Sequence, residues 1–146
     1  MYDVLIIGCG ITGAAAAFAL SRYRLSIAVL ERENDVSMGA TKANSAILHA
    51  GYDPEPGTLM ARLNLRGVEL ARTLCRDLDV PYRACGSLVA AFSPEECAVL
   101  EALCERGKSN GVPGLELLTG AQARTLEPGL SGAVTAALHA PSAAIC

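Results

Sequence analysis

The sequence predicts an α/β fold whose first three elements are a strand, a helix and a second strand. Residues 2–7 and 27–30 are short runs of β-branched and aliphatic side chains, and residues 11–24 are helical by propensity. A strand, a helix and a strand in so short a span form a βαβ unit, in which the two strands run parallel. We therefore expect both strands to be buried in a parallel sheet.

Composition narrows the class of protein. The chain has 146 residues, of which 51% are hydrophobic and 18% charged, and its formal net charge is −3. These values are typical of a soluble globular protein with one real core rather than of a disordered chain. The arginines are scattered among acidic residues, so no basic nucleic-acid-binding surface is expected.

The uncharged run at residues 4–20 is not expected to be a signal peptide or a membrane span. No basic side chain precedes it, glycines interrupt it, and it is shorter than the roughly 20 apolar residues that a span needs. We expect a cytoplasmic protein without a transmembrane segment, and association with the periphery of a membrane stays open.

The cysteines are expected to be small buried hydrophobes in a reducing compartment. No two of them have C-x-x-C spacing, and the chain has only two histidines, so no zinc site or other metal site is expected. The six cysteines are Cys9, Cys75, Cys85, Cys97, Cys104 and Cys146.

The second half of the chain mixes helices and strands. The spacing of five leucines predicts an amphipathic helix over residues 58–78. Ser93, Pro94 and Glu96 form a capping box, which predicts a second helix to about Gly107 with Leu100, Leu103 and Cys104 facing inward. Further strands are expected over three ranges, 88–92, 115–118 and 133–138.

Three glycines follow the first strand with the spacing G-x-G-x-x-G. Gly8 permits a tight turn, Gly10 lets a pyrophosphate approach the backbone, and Gly13 lets the helix press against the strand. The pattern alone is weak, but here it joins a strand to a helix. The first helical residues, Ile11 and Thr12, would then offer free N–H groups to the phosphates.

An acidic residue ends the second strand. Glu31, followed by Arg32, is placed to accept both hydroxyls of an adenosine ribose, which disfavours NADP. These residues predict a Rossmann-like dinucleotide site without separating FAD from NAD. A glycine turn in an ordinary βαβ unit is the alternative.

Polar residues that could follow an extended cofactor come next. Thr41, Lys42, Asn44 and Ser45 supply hydroxyls, an amide and one cation, although an ordinary surface loop has the same composition. His49 is the only histidine near this stretch and is either catalytic or structural, whereas His139 is expected to be structural.

Two segments resemble a known family. Residues 2–13 with Glu31 and Arg32 are similar to the N-terminus of the D-amino-acid-oxidase-like superfamily of FAD-dependent oxidoreductases. Residues 43–67, ANSAILHAGYDPEPGTLMARLNLRG, resemble the group of L-2-hydroxyglutarate oxidases and anaerobic glycerol-3-phosphate dehydrogenases. The similarity continues weakly to residues 139–141.

The resemblance implies FAD as cofactor, held noncovalently, although some relatives join it to a histidine at this place. The three glycines would hold the pyrophosphate and Glu31 the ribose, while His49 would lie toward the isoalloxazine. The residues implied to line the cofactor are Ile11, Thr12, Arg32, Thr41, Lys42, Asn44 and Ser45.

The resemblance also implies a domain plan and a reaction. Residues 1–80 would be the Rossmann-like FAD-binding portion, and residues 81–146 the incomplete start of an α+β substrate domain, so the chain alone is expected to be inactive. The whole enzyme would oxidise a small secondary alcohol, such as a 2-hydroxy acid or glycerol 3-phosphate, with a quinone, a partner subunit or oxygen as electron acceptor. An NAD-dependent dehydrogenase and a noncatalytic nucleotide-binding fragment are the alternatives.

Overall fold

A computed structural model describes all residues from Met1 to Cys146. The chain forms two compact units, Met1–Ser45 and Ala46–Cys146, each with its own elements. The division into an FAD-binding portion and a substrate domain after residue 80 remains a prediction. No helix is both long and apolar enough to cross a membrane.

The first unit is the predicted βαβ unit. Strand β1 (Val4–Ile7), helix α1 (Ile11–Leu20) and strand β2 (Ile27–Leu30) follow one another. The two strands pair in parallel, from Val4 with Ile27 to Ile7 with Leu30. The α/β class and the parallel strand pair are thereby confirmed.

Helix α1 ends earlier than predicted. It stops at Leu20 instead of continuing to residue 24, because Ser21 caps it. The Ser21 N–H donates to the Ala17 carbonyl at 2.9 Å, and the Ser21 hydroxyl donates to the Phe18 carbonyl at 2.7 Å. The serine side chain thus competes with the next helical turn, and the chain turns back toward β2.

The expectation that both strands are buried is wrong. Ile7 is 85% exposed and Leu30 is 52% exposed. Successive residues of a strand face opposite sides, and Gly13 of α1 lies against Ile6, on the face opposite to that of Ile7. The opposite face of this two-stranded sheet therefore stays open within the unit.

The second unit begins with a short strand and a long helix. Strand β3 (Ile47–Leu48) precedes helix α2 (Leu59–Asp77), and the hydroxyl of Thr58 caps α2 by accepting from the Ala61 N–H at 3.2 Å. Helix α2 lies within a residue of its predicted bounds. Its leucine stripe is exposed, however, and only Ala61 and Cys75 are buried.

A three-stranded antiparallel sheet carries the main core of the second unit. Its strands are β4 (Ser87–Ala91), β5 (Glu116–Thr119) and β6 (Ala136–Ala140), in the spatial order β4-β6-β5. Helix α3 (Pro94–Ser109) packs on one face of this sheet. Ser93 caps α3 by accepting from the Glu96 N–H at 3.3 Å, which confirms the predicted start. Helix α4 (Gly120–Leu126) follows β5 in the sequence, and strand β7 (Ala144–Ile145) follows β6.

The inward face predicted for α3 is confirmed. Leu100 and Cys104 are buried with Ala91 and Leu138, and Leu103 packs against this cluster half-buried. A second small cluster contains the buried residues Ala50, Val112, Ala140 and Ala143.

Helix α4 and the strands β3 and β7 were not predicted, and β6 begins later than expected. Residues 132 and 133 form a turn before β6, where the Val134 N–H donates to the Ser131 carbonyl at 3.2 Å. Helix α4 has a capping box in which the Gln122 N–H donates to the Thr119 hydroxyl at 3.3 Å. Strands β3 and β7 have two residues each and pair antiparallel.

The expectation of buried cysteines holds only in part. Cys75 and Cys104 are buried, and Cys9 and Cys97 are partly buried, whereas Cys85 and Cys146 are exposed.

Candidate functional site

The glycine loop of the first unit has a backbone shape that only glycine fits well. Gly8 has a φ of +98° and donates its N–H to the Leu30 carbonyl at 2.7 Å. A Cβ on Gly13 would collide with the Gly8 carbonyl oxygen and crowd Ile6. The turn at Gly8 and the close helix–strand approach at Gly13 are two of the three features that the motif predicts.

Thr41 lies at the N-terminus of α1, thirty residues away in sequence. Its hydroxyl oxygen accepts from the Ile11 N–H at 2.9 Å, so this N–H is not free as the sequence predicted. A Cβ on Gly10 would lie 3.2 Å from the same oxygen, so a side chain there would press on Thr41. The N-terminus of α1, which is the positive end of the helix dipole, thus combines the Ile11 N–H and the Thr41 hydroxyl with Gly10, which has no side chain.

Glu31 ties the end of β2 to the glycine loop. One carboxylate oxygen accepts from the Cys9 N–H at 2.7 Å, and the other accepts from the N–H groups of Arg32 at 2.8 Å and Glu33 at 3.1 Å. The hydrogen bond from Cys9, then that from Glu33, lowers the pKa of the Glu31 carboxyl below its ordinary value. Glu31 is therefore charged at neutral pH and adds its negative charge to this site.

These residues line one open cleft of about 310 Å³ in the first unit. Four of the residues singled out in the sequence, Gly10, Glu31, Arg32 and Thr41, contribute to its wall. The Arg32 side chain is largely exposed and pairs with Glu33 at 2.9 Å. The whole lining is Gly10, Glu31, Arg32, Glu33, Ser37, Met38, Gly39, Ala40 and Thr41.

The remaining predicted cofactor residues lie beside the cleft. The Asn44 amide donates to the carbonyls of Thr41 and Ala40, and the Lys42 ammonium lies 4.0 Å from the Met38 sulfur. Thr12 and Ser45 are exposed. Lys42 and Asn44 therefore lie in the turn after Thr41, and their side chains do not line the cleft.

The sequence did not predict three of the lining residues, Glu33, Ser37 and Met38. Ser37 has a φ of +62° and donates its N–H to the Cys9 carbonyl at 3.0 Å, which brings Ser37 and Met38 back to the glycine loop. Neither residue belongs to the glycine motif or to the polar stretch, so no local signal marked them. Only the long-range bond to Cys9 places them here.

His49 lies in the second unit, directly after β3. Its side chain is exposed, and it is followed by Ala50, which is fully buried, and by Gly51, whose φ is +103°. The pairing of β3 with β7 fixes the backbone that leads into it. His139 lies on β6, between Leu88 of β4 and Glu116 of β5.

Comparison with protein families gives a match over almost the whole chain. Residues 3–146 match the family of FAD-dependent oxidoreductases abbreviated DAO. A glycerol 3-phosphate dehydrogenase of Caloramator mitchellensis is 46% identical over 145 residues, which cover 99% of this chain and 30% of the relative. The L-2-hydroxyglutarate dehydrogenase of Dictyostelium discoideum is 37% identical over 148 residues, covering 99% of this chain and 33% of the relative.

Solved structures agree with this match. An L-α-glycerophosphate oxidase from Mycoplasma pneumoniae with FAD bound superposes with a TM-score of 0.90 at 30% identity, over 99% of this chain and 38% of that one. A glycine oxidase from Geobacillus kaustophilus gives 0.88 at 26% identity, over 99% and 40% of the two chains. The chain thus spans about a third of the length of the relatives that it matches.

Proposed function

Since this chain belongs to the family of FAD-dependent oxidoreductases, we propose that its first unit binds the ADP half of FAD. The observation that carries the proposal is the cleft in which Glu31, Gly10 and Thr41 meet. It combines a carboxylate suited to a ribose with a helix N-terminus suited to a pyrophosphate.

The glycine loop and helix α1 fit a pyrophosphate. Gly8 and Gly10 have no side chain to fill the space in front of the helix, and no acidic residue lies in its first turn to repel phosphate. The Thr12 N–H and the Thr41 hydroxyl would hold the phosphate oxygens, and the Ile11 N–H, which donates to the Thr41 oxygen, would hold that hydroxyl in place. The positive end of the helix dipole attracts the negatively charged phosphate groups.

The carboxylate of Glu31 fits a ribose. Its two oxygens have about four acceptor sites, and the bonds from Cys9, Arg32 and Glu33 take three of them, so one site remains for a hydroxyl of the sugar, on the oxygen that accepts from Cys9. A phosphate on that ribose would meet the negative charge and be disfavoured. Arg32, Lys42, Asn44 and Ser45 would contact the cofactor around this core, without a covalent bond to His49.

The proposed reaction is oxidation of a small secondary alcohol. The similarity to a glycerol 3-phosphate dehydrogenase and an L-2-hydroxyglutarate dehydrogenase supports glycerol 3-phosphate or a 2-hydroxy acid as the substrate class. Bound FAD would supply the hydride acceptor. His49, exposed at the end of β3, would accept the hydroxyl proton as a general base. A quinone, a partner subunit or oxygen would take the electrons.

Competition among nucleotides tests where the cofactor binds. The protein is titrated with FAD while flavin fluorescence is followed, and the titration is repeated with an excess of ADP, FMN or NAD. If the cleft holds the ADP half, ADP weakens FAD binding and FMN, which lacks that half, does not. Competition by FMN as strong as that by ADP would contradict the proposal. Competition by NAD stronger than that by ADP would point to a nicotinamide cofactor instead.

A further inference from the structure

The residues that follow His49 form a loop held by the end of helix α3. The Asn110 amide nitrogen donates to the Gly51 carbonyl at 3.0 Å and to the Pro54 carbonyl at 2.8 Å. Asn110 is the C-cap of α3, where its own backbone N–H donates to the Arg106 carbonyl at 2.9 Å. One side chain, anchored at the end of a helix, thus binds the loop at two points directly after His49.

The last turn of α3 contacts the same loop at two further points. The Arg106 guanidinium donates to the Asp53 carbonyl at 3.0 Å. A Cβ on Gly107 would come within 2.7 Å of the Tyr52 Cβ, so this glycine lets the helix and the loop approach closely. The contacts with α3 therefore involve every residue of the loop from 51 to 54.

The backbone on the other side of His49 is also fixed. Leu48 pairs with Ala144 in the short sheet of β3 and β7. Ala50, directly after His49, is fully buried in a cluster with Val112. His49 therefore lies between two anchored backbone segments, and the direction of its side chain depends on both anchors.

We propose that Asn110 is a positioning residue for His49, because its bonds to the loop hold the imidazole in the place that a general base needs. This inference rests on the proposed role of His49 in the reaction. A general base must lie within hydrogen-bond reach of the substrate hydroxyl, and a displacement of about 1 Å can cost on the order of 10²-fold in rate. The Asn110 side-chain oxygen is buried and accepts no hydrogen bond from another residue, so this side chain acts through its nitrogen.

The first measurement needs no bound cofactor. Hydrogen exchange followed by mass spectrometry reports opening of the loop, because the backbone at Ala50 and Gly51 is buried. In Asn110→Ala the peptide covering residues 49–55 should exchange roughly 10-fold faster, while the sheet of β4, β5 and β6 exchanges as in the parent. Ser109→Ala is the matched control, since it removes a side-chain hydrogen bond within α3 and keeps the loop contacts. Unchanged exchange in Asn110→Ala would overturn the proposal.

The second measurement is flavin reduction by glycerol 3-phosphate, and then by L-2-hydroxyglutarate, in the full-length protein. Asn110→Ala should lower the rate per bound flavin at saturating substrate roughly 10- to 100-fold, and Ser109→Ala should keep it. In a His49→Ala background the Asn110 substitution should have no further effect, because it acts only through the imidazole. A general structural defect would lower the rate by the same factor in both backgrounds, and that result would contradict the proposal.

The outcomes separate this inference from the proposed function. If neither substrate reduces the flavin of the parent, or if His49→Ala keeps the parent rate, the proposed function fails and this inference fails with it. If His49→Ala is slow while Asn110→Ala stays within about threefold of the parent, only the inference is overturned. Should Asn110→Ala not fold, Asn110→Ser takes its place in both measurements, since serine keeps a hydroxyl at the helix end but is too short to reach both carbonyls.

Discussion

The carboxylate of Glu31 accepts a hydrogen bond from the backbone N–H of Cys9 at 2.7 Å, which joins the end of β2 to the glycine loop. The residue proposed to bind the ribose thus also shapes the loop proposed to bind the pyrophosphate. The two halves of the cleft are coupled through this bond, and several predictions about the site depend on it.

Glu31→Gln should weaken the first unit and change its response to acid. The pKa of Glu31 is lowered in the folded state, so its stabilising contribution is present above the ordinary value of 4.5 and is lost as the pH falls through the lowered folded value. The variant should have a lower Tm than the parent at neutral pH, and the difference should shrink below pH 4.5. Thermal denaturation followed by circular dichroism across this range measures it, and a constant difference would show that the carboxylate charge does not matter.

Gly13→Ala should destabilise the protein by on the order of 1–3 kcal/mol, because the added Cβ would collide with the Gly8 carbonyl. Gly67→Ala is the matched control: its Cβ would meet open space in the middle of α2, so it should stabilise by about 1 kcal/mol. Urea denaturation measures both. Equal effects of the two substitutions would contradict the close helix–strand approach.

Thr41→Val should weaken FAD binding roughly 5-fold, the equivalent of about 1 kcal/mol for one lost hydrogen bond. Valine keeps the shape of threonine but cannot accept from the Ile11 N–H or bond a phosphate. Thr41→Ser keeps the hydroxyl and should bind FAD nearly as the parent does. Fluorescence titration compares the three proteins, and a serine variant as weak as the valine variant would remove the hydroxyl from the site.

His49→Ala in the full-length protein should leave FAD bound and slow flavin reduction by substrate by on the order of 10²–10⁴-fold, the usual cost of losing a general base. His139→Ala, on β6, is the control and should keep the rate per bound flavin. Rapid-mixing kinetics normalised to bound flavin measure both variants. A His49→Ala rate within about threefold of the parent, well short of that range, would exclude His49 from the reaction.

Local patterns in the sequence predicted the elements that are specified locally. The alternation of a strand, a glycine motif and a second strand predicted the parallel pair of β1 and β2. The capping residues Ser93 and Glu96 predicted the start of α3. Such signals depend on neighbouring residues alone, so they can be recognised in the sequence without knowledge of the tertiary fold.

The parts that were missed depend on contacts between distant residues. Strands β3 and β7 have two residues each, too few for a periodic pattern, and exist through pairing of Ile47 with Ile145. The place of Ser37 in the cleft depends on its bond to Cys9. The exposure of the leucine stripe on α2 also could not be read from its spacing, because a periodic apolar face is the same whether or not a partner covers it.

The measurement that tests the central claim most directly is the affinity for FAD of Gly10→Asp beside that of Ala15→Asp. Both variants add one negative charge to the region of α1, but Gly10 lies in the cleft at the N-terminus of the helix, whereas Ala15 is exposed in its middle. We predict that Gly10→Asp abolishes FAD binding, since its carboxylate would occupy the place of the pyrophosphate and repel it, and that Ala15→Asp binds FAD as the parent does. Binding of FAD by Gly10→Asp as tight as that by the parent would contradict the assignment of this cleft.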